Sequence, residues 1–175
     1  AKIGENITLR RFDIVAKAGA DLVTYVHPGD KIAVALALEK GDAELAKDLA
    51  MHVAAMAPRF LDAAAVPAEA VEAERKVIEA QIAQEQADDV ADGKKPKPAE
   101  ILAKMAEGKI RKFTAEITLL GQSFVKNPDE TVEKLLKARN AAVARFVRFA
   151  VGEGIERQQT DFAAEVAATQ ASLSS

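Results

Sequence analysis

The chain has 175 residues, 49% of them hydrophobic, but much of that fraction is alanine and there are only 7 Phe, 1 Tyr and no Trp, so a helix-rich protein with a modest core is expected. With 24 basic against 27 acidic residues and a formal charge of -3, it lacks the basic excess of a general nucleic-acid or membrane-surface binder. The absence of cysteine excludes disulfides, thiol catalysis and cysteine-ligated metals, and no apolar run reaches membrane-spanning length.

The opening AKIGEN, led by Ala1, reads as an internal stretch, so a fragment or processed product is expected. Asn6 to Val15, NITLRRFDIV, reads as a strand rich in branched and aromatic residues. KAGAD follows as a turn, Leu22 to Val26 as a second strand, and His27 to Asp30, HPGD, as a tight turn. Lys31 to Glu39 alternates Ile32, Val34, Leu36 and Leu38 with Ala33, Ala35 and Ala37. Period two predicts a strand, and the small face predicts a helix packed closely against the alanines. These runs suggest a three-stranded antiparallel unit.

Asp42 is placed to cap a helix carrying Leu45, Leu49, Val53 and Met56 at helical spacing, stopped by Pro58. On this helix His52 reads as a residue at the edge of the core. A long helix from about Pro67 to Val90 has the stripe Val71, Ile78 and Ile82, and Ala91 to Pro98 breaks it. In the second long helix Leu102, Ala106, Ile110, Phe113, Ile117 and Leu120 step by 4, 4, 3, 4 and 3, a coiled-coil-like seam. Two such helices with narrow stripes predict an antiparallel hairpin arm standing partly in solvent. Asn127 to Glu130, NPDE, predicts a helix start with Asn127 as cap, Pro128 in the first turn and Glu130 closing a capping box. Ala142 to Val151 returns to strand with Arg145 and Arg148 between apolar residues, Gly152 to Gly154 is a turn, and a last helix begins near Thr160. GENITLRRF and VARFVRFAVGEG echo each other, which suggests two related strands in one sheet.

The expected fold is therefore α+β: a small antiparallel three-stranded sheet packed with helices, a protruding helical hairpin and a C-terminal helix. The expected organisation is a core subdomain at 1–62 and 121–155, a hairpin arm at 63–120, and a C-terminal helical module at 156–175.

His27 and His52 are the only histidines. No G-x-S-x-G, phosphate-loop or dinucleotide signature is present, and nothing has metal-ligand spacing. An enzyme is not expected; a protein that acts by touching another protein is.

Four stretches resemble one family: KIGENITLRRF (Lys2 to Phe12), DLAMHVAAMAPRFL (Asp48 to Leu61), MAEGKIRKFTAEITLLGQSFVK (Met105 to Lys126) and RFVRFAVGEGIERQQTDFAAEVAA (Arg145 to Ala168). Taken together and in order, they resemble elongation factor Ts, the factor that exchanges guanine nucleotide on elongation factor Tu. The resemblance covers the family's C-terminal two-thirds, without its N-terminal three-helix domain or the Thr-Asp-Phe-Val wedge of its first core half. It implies elongation factor Tu, GDP-bound and nucleotide-free, as partner. It implies no cofactor, metal, membrane or direct nucleic-acid partner, and a bacterial cytoplasmic setting or an organelle matrix. The arm seam leaves a homodimer through the arm as an alternative. Ile3 and Gly4 match residues that approach the partner's phosphate-binding loop, and His27 matches a turn histidine that touches the nucleotide-binding domain. Thr160-Asp161-Phe162 belongs to the C-terminal module rather than the wedge. There Asp161 suits a first helical turn, and Phe162 and Val166 share a face that either docks on the chain's own core or also contacts a partner helix. A module that binds without exchanging nucleotide, or a scaffold that self-associates through the arm, is the alternative function.

Overall fold

The computed structural model describes residues 10–17 and 19–154. Three strands form the main sheet: β1 (Asp21–Val26), β2 (Ile32–Glu39) and β5 (Ala142–Ala150), antiparallel in the order β1-β2-β5. Between β2 and β5 the chain forms α1 (Ala43–Met56), a 3-10 turn (Ala63–Ala65), α2 (Ala68–Ala91), α3 (Ala99–Ile117), a small hairpin of β3 (Ser123–Phe124) and β4 (Asn127–Thr131), and α4 (Val132–Ala138). This is the α+β class that the sequence predicts; the expected C-terminal helix and the 156–175 module lie outside the described residues.

The sheet has the predicted number of strands but different members. Residues 10–15, the described part of the expected first strand, make no ladder; the third strand is β5. The branched and aromatic residues that favour a strand there, Phe12 and Ile14, are both 74% exposed. Extended chain becomes strand only where a backbone edge accepts it, and this segment is held to β5 by arginine side chains instead.

The alternation of β2 is real, but the helix covers the other face. Val34, Leu36 and Leu38 form one core cluster with Leu45, Leu49 and Val53 of α1, joined by Leu119, Phe124, Val132, Leu136 and Val143. Large side chains gain most from leaving water, so they take the covered face. The alanines face the opposite way. Asp42 caps α1 as expected, its carboxylate accepting from the Leu45 N–H at 2.7 Å.

Asn127 to Glu130 is strand, not helix: Phe124 pairs with Asn127 and Ser123 with Thr131. The Asn127 amide donates to Glu130 Oε1 at 2.8 Å, a side-chain bond that replaces the expected capping box. The cap falls to Thr131, whose hydroxyl accepts from the Lys134 N–H at 3.3 Å. Burial decides this shift, because starting the helix at Val132 carries Val132 and Leu136 into the core.

The arm is α2 against α3. Ile78, Ile82, Ala106 and Ile110 form a separate apolar cluster, flanked by Val71, Leu102 and Met105. The last residue of the predicted seam does not belong to it: α3 stops at Ile117, and Leu120 packs on the main core. At the arm's root the Arg59 and Phe60 N–H groups donate to the Ile117 carbonyl, and the Leu119 N–H donates back to the Phe60 carbonyl at 2.9 Å. Gly121 turns the chain here with no room for a side chain, since a Cβ would lie 2.6 Å from the Ala115 Cα. No helix of the described residues is long and apolar enough to cross a membrane.

Candidate partner-binding surface

Of the six predicted contact residues, Ile3, Gly4, Asp161, Phe162 and Val166 lie outside the described residues. His27 lies within them, at the exposed tip of the β1–β2 hairpin. The tip is built tightly. The His27 N–H donates to the Ile32 carbonyl at 2.9 Å, and the Asp30 N–H to the His27 carbonyl at 3.0 Å. Gly29 takes a φ of 94° and Asp30 a φ of 55°, a reversal that glycine and aspartate tolerate. The Tyr25 hydroxyl meets His27 Nδ1 at 3.1 Å. Among the described residues this leaves Nε2 as the ring nitrogen open to a partner.

The sheet face opposite α1 adjoins this tip. The β1–β2 register places Leu22, Thr24 and Val26 beside Ala37, Ala35 and Ala33, and β5 adds Arg145, Val147 and Phe149 on the same rows. Leu22 and Val26 remain 40% and 56% exposed. Residues 10–13 run beside β5. The Arg145 guanidinium donates to both oxygens of Asp13 at 2.8 Å. Arg11 lies over the Phe149 ring at 4.8 Å and pairs with Glu153 at 3.1 Å. On the core side Arg148 reaches the Ala54 carbonyl near the end of α1 at 3.4 Å and Glu153 Oε1 at 3.1 Å. Among the described residues, the contact between the two echoed stretches is thus made by side chains. Arginines set in an apolar strand signalled these contacts; their partners, far away in sequence, had no local mark.

His52 is fully buried rather than at the core's edge. Its Nδ1 accepts from the Val125 N–H at 3.1 Å, so Nε2 carries the proton and donates to Gln122 Oε1 at 3.0 Å. The Gln122 amide in turn donates to the Glu116 carbonyl at 2.7 Å. Burial pushes the His52 pKa down from the ordinary histidine value, against the Gln122 bond that raises it. This neutral imidazole ties α1 to the arm's root and to the β3–β4 hairpin; it is a structural lock.

A cleft of about 500 Å³ at the arm's root is lined by Asp62, Ile110, Arg111, Thr114 and Gly121 among others. It brings together no nucleophile with a histidine base. Among the described residues no group of acidic or histidine side chains is arranged to hold a metal ion.

The family model described as Elongation factor TS matches residues 1–153. The chain is 52% identical over 168 residues to Elongation factor Ts of Methylococcus capsulatus, an alignment covering 96% of this chain and 54% of that protein. It is 54% identical over 166 residues to Elongation factor Ts of an Azoarcus species, covering 95% and 52%. To Elongation factor Ts of Methylobacillus flagellatus it is 53% identical over 167 residues, covering 95% and 53%. The chain spans about half the length of the curated relatives it matches.

Proposed function

From its membership of the elongation factor Ts family, we propose that this chain binds elongation factor Tu and promotes release of its GDP, as a guanine-nucleotide exchange factor of the cytoplasm that is not itself an enzyme. Identity above one half to relatives named Elongation factor Ts carries the reading. The exposed hairpin tip, with His27 and an open Nε2, supports it. Exchange of this kind works by differential binding: a factor that prefers the nucleotide-free partner shifts the population towards release, and the reciprocal weakening of nucleotide binding follows from linkage. Ile3, Gly4 and His27 would act near the nucleotide, and Asp161, Phe162 and Val166 would grip a partner helix. The nucleotide and its magnesium belong to the partner.

The test is release of fluorescent GDP from purified elongation factor Tu with the chain in excess. Accelerated release supports exchange. Binding without acceleration supports the second reading, a docking module. His27→Ala is expected to weaken binding by roughly 3- to 10-fold, the cost of truncating one contact side chain, with no change in thermal unfolding. Unchanged affinity would remove His27 from the interface.

A further inference from the structure

The main core and the arm are separate apolar clusters, and no residue of α1, β2 or β5 belongs to the arm's cluster. Packing among Ile78, Ile82, Ala106 and Ile110 holds α2 against α3 but gives the pair no direction relative to the sheet. The backbone bonds at the root lie along one short run, residues 59–61 against 117–120, and a few residues at the end of an element can absorb a rotation. A buried side chain crosses the same junction. The Gln122 carboxamide donates through Nε2 to the Glu116 carbonyl in the last turn of α3 at 2.7 Å and to the Met56 carbonyl at the end of α1 at 3.4 Å. Both carbonyls belong to the last turn of a helix, where no intrahelical N–H reaches them, so one amide serves two helix ends. Its Oε1 accepts from His52 Nε2, and that ring is fixed in turn by the Val125 N–H and by Phe124, with ring centres 5.9 Å apart. The Gln122 backbone is itself anchored: its N–H donates to the Thr118 carbonyl at 3.2 Å, and its carbonyl accepts from the Val132 N–H at 3.0 Å.

We propose that the Gln122 carboxamide, held by His52, is the joint that fixes the direction of the hairpin arm on the core. Without its bonds α2 and α3 stay paired but swing about the run at 59–61 and 117–120. Gln122 and His52 are positioning residues: a buried amide with three partners in a low-dielectric site holds more firmly than an exposed bond, and each partner left unmet is costly. The joint also sets the width of the root cleft, which is lined by Arg111 and Thr114 of α3 and by Asp62 and Glu133 of the core. An arm with one direction meets a binding surface without the ordering cost that a swinging arm carries. The joint does not depend on the function proposed above.

The chain has no cysteine, so Lys47→Cys on α1 and Ala87→Cys on α2, both at exposed positions, carry a pair of nitroxide labels in the full chain. Double electron–electron resonance should give one narrow distance distribution in this labelled parent. Gln122→Met, which keeps the bulk and removes the bonds, should widen the distribution roughly twofold, and Gln122→Ala should do the same. Leu49→Ala, which weakens the core without touching the joint, should leave the width unchanged. Circular dichroism should show helix content retained in all three. An unchanged width in both Gln122 variants overturns the joint, and so does equal widening in Leu49→Ala, which a merely structural role would produce. Where the Gln122 variants fail to fold, the unsubstituted chain decides. Residual dipolar couplings from α2 and α3 and from the main sheet should then fit a single alignment tensor; two tensors overturn the proposal.

Discussion

His52 shows how one buried side chain carries a pH dependence. Its pKa is lowered by burial below the 6.5 of an ordinary histidine, so between those values the unfolded chain binds more protons than the folded one. Stability is therefore full above about pH 6.5 and falls as pH drops from there through the lowered folded value. A second proton would have to sit on Nδ1, where the Val125 N–H already points. The midpoint of urea unfolding should decline between pH 7.5 and 5.5 in the native chain. In His52→Asn, whose amide oxygen can still accept from Val125, the decline should flatten at lower absolute stability. An equally steep decline in the variant would show that other groups titrate. At the same scale, Leu49 is fully buried in the core, and Leu49→Ala should cost about 3 kcal/mol, the usual loss for a large-to-small change in a packed site, measurable by denaturant unfolding.

The ends of individual elements carry their own tests. Asp42→Ala removes the oxygen that accepts the Leu45 N–H at 2.7 Å and should lower stability by about 1 kcal/mol, seen as a shifted urea midpoint with unchanged slope. At the arm's tip Asp89 takes Lys94 at 2.6 Å and also Lys97. These bonds, that to Lys94 first, hold its carboxyl down to about 2. The folded value lies below the ordinary 3.8, so this contribution is present above 3.8 and is lost as pH falls towards about 2. Asp89→Asn should speed amide exchange in the loop between α2 and α3 and leave α1 untouched. Equal exchange in both forms would mean that the Lys97 backbone bond to Gln86 holds the tip alone.

At the scale of the whole molecule the main core and the arm are two apolar clusters joined at a pinned root. Contacts confined to one cluster stabilise that cluster, so opening can be local. Ile82→Ala should raise hydrogen exchange along α2 and α3 while amides of β2 and α1 keep their protection. Leu49→Ala should lower protection throughout, because opening the core also frees the root. Uniform loss of protection in Ile82→Ala would show one cooperative unit instead.

Residue pattern alone carried the element types wherever periodicity was strong: β2, α1, the two arm helices and β5 all stand where alternation or helical spacing put them. The four stretches resembling elongation factor Ts likewise carried the family, because ordered motifs persist in the chain whatever their surroundings. Three-dimensional packing decided the rest. Whether residues 10–15 joined the sheet depended on which backbone edge was free, and Phe12 gives no sign of that. Which face of β2 met α1 was settled by the area of Leu36 and Leu38 against that of the alanines. Asn127 to Thr131 is strand because Phe124 and Val132 on either side are drawn into the core, a long-range gain larger than a local cap. The meeting of Arg10 with Gly154, and of Asp13 with Arg145, joins residues more than 130 positions apart; only the folded chain brings those charges within reach.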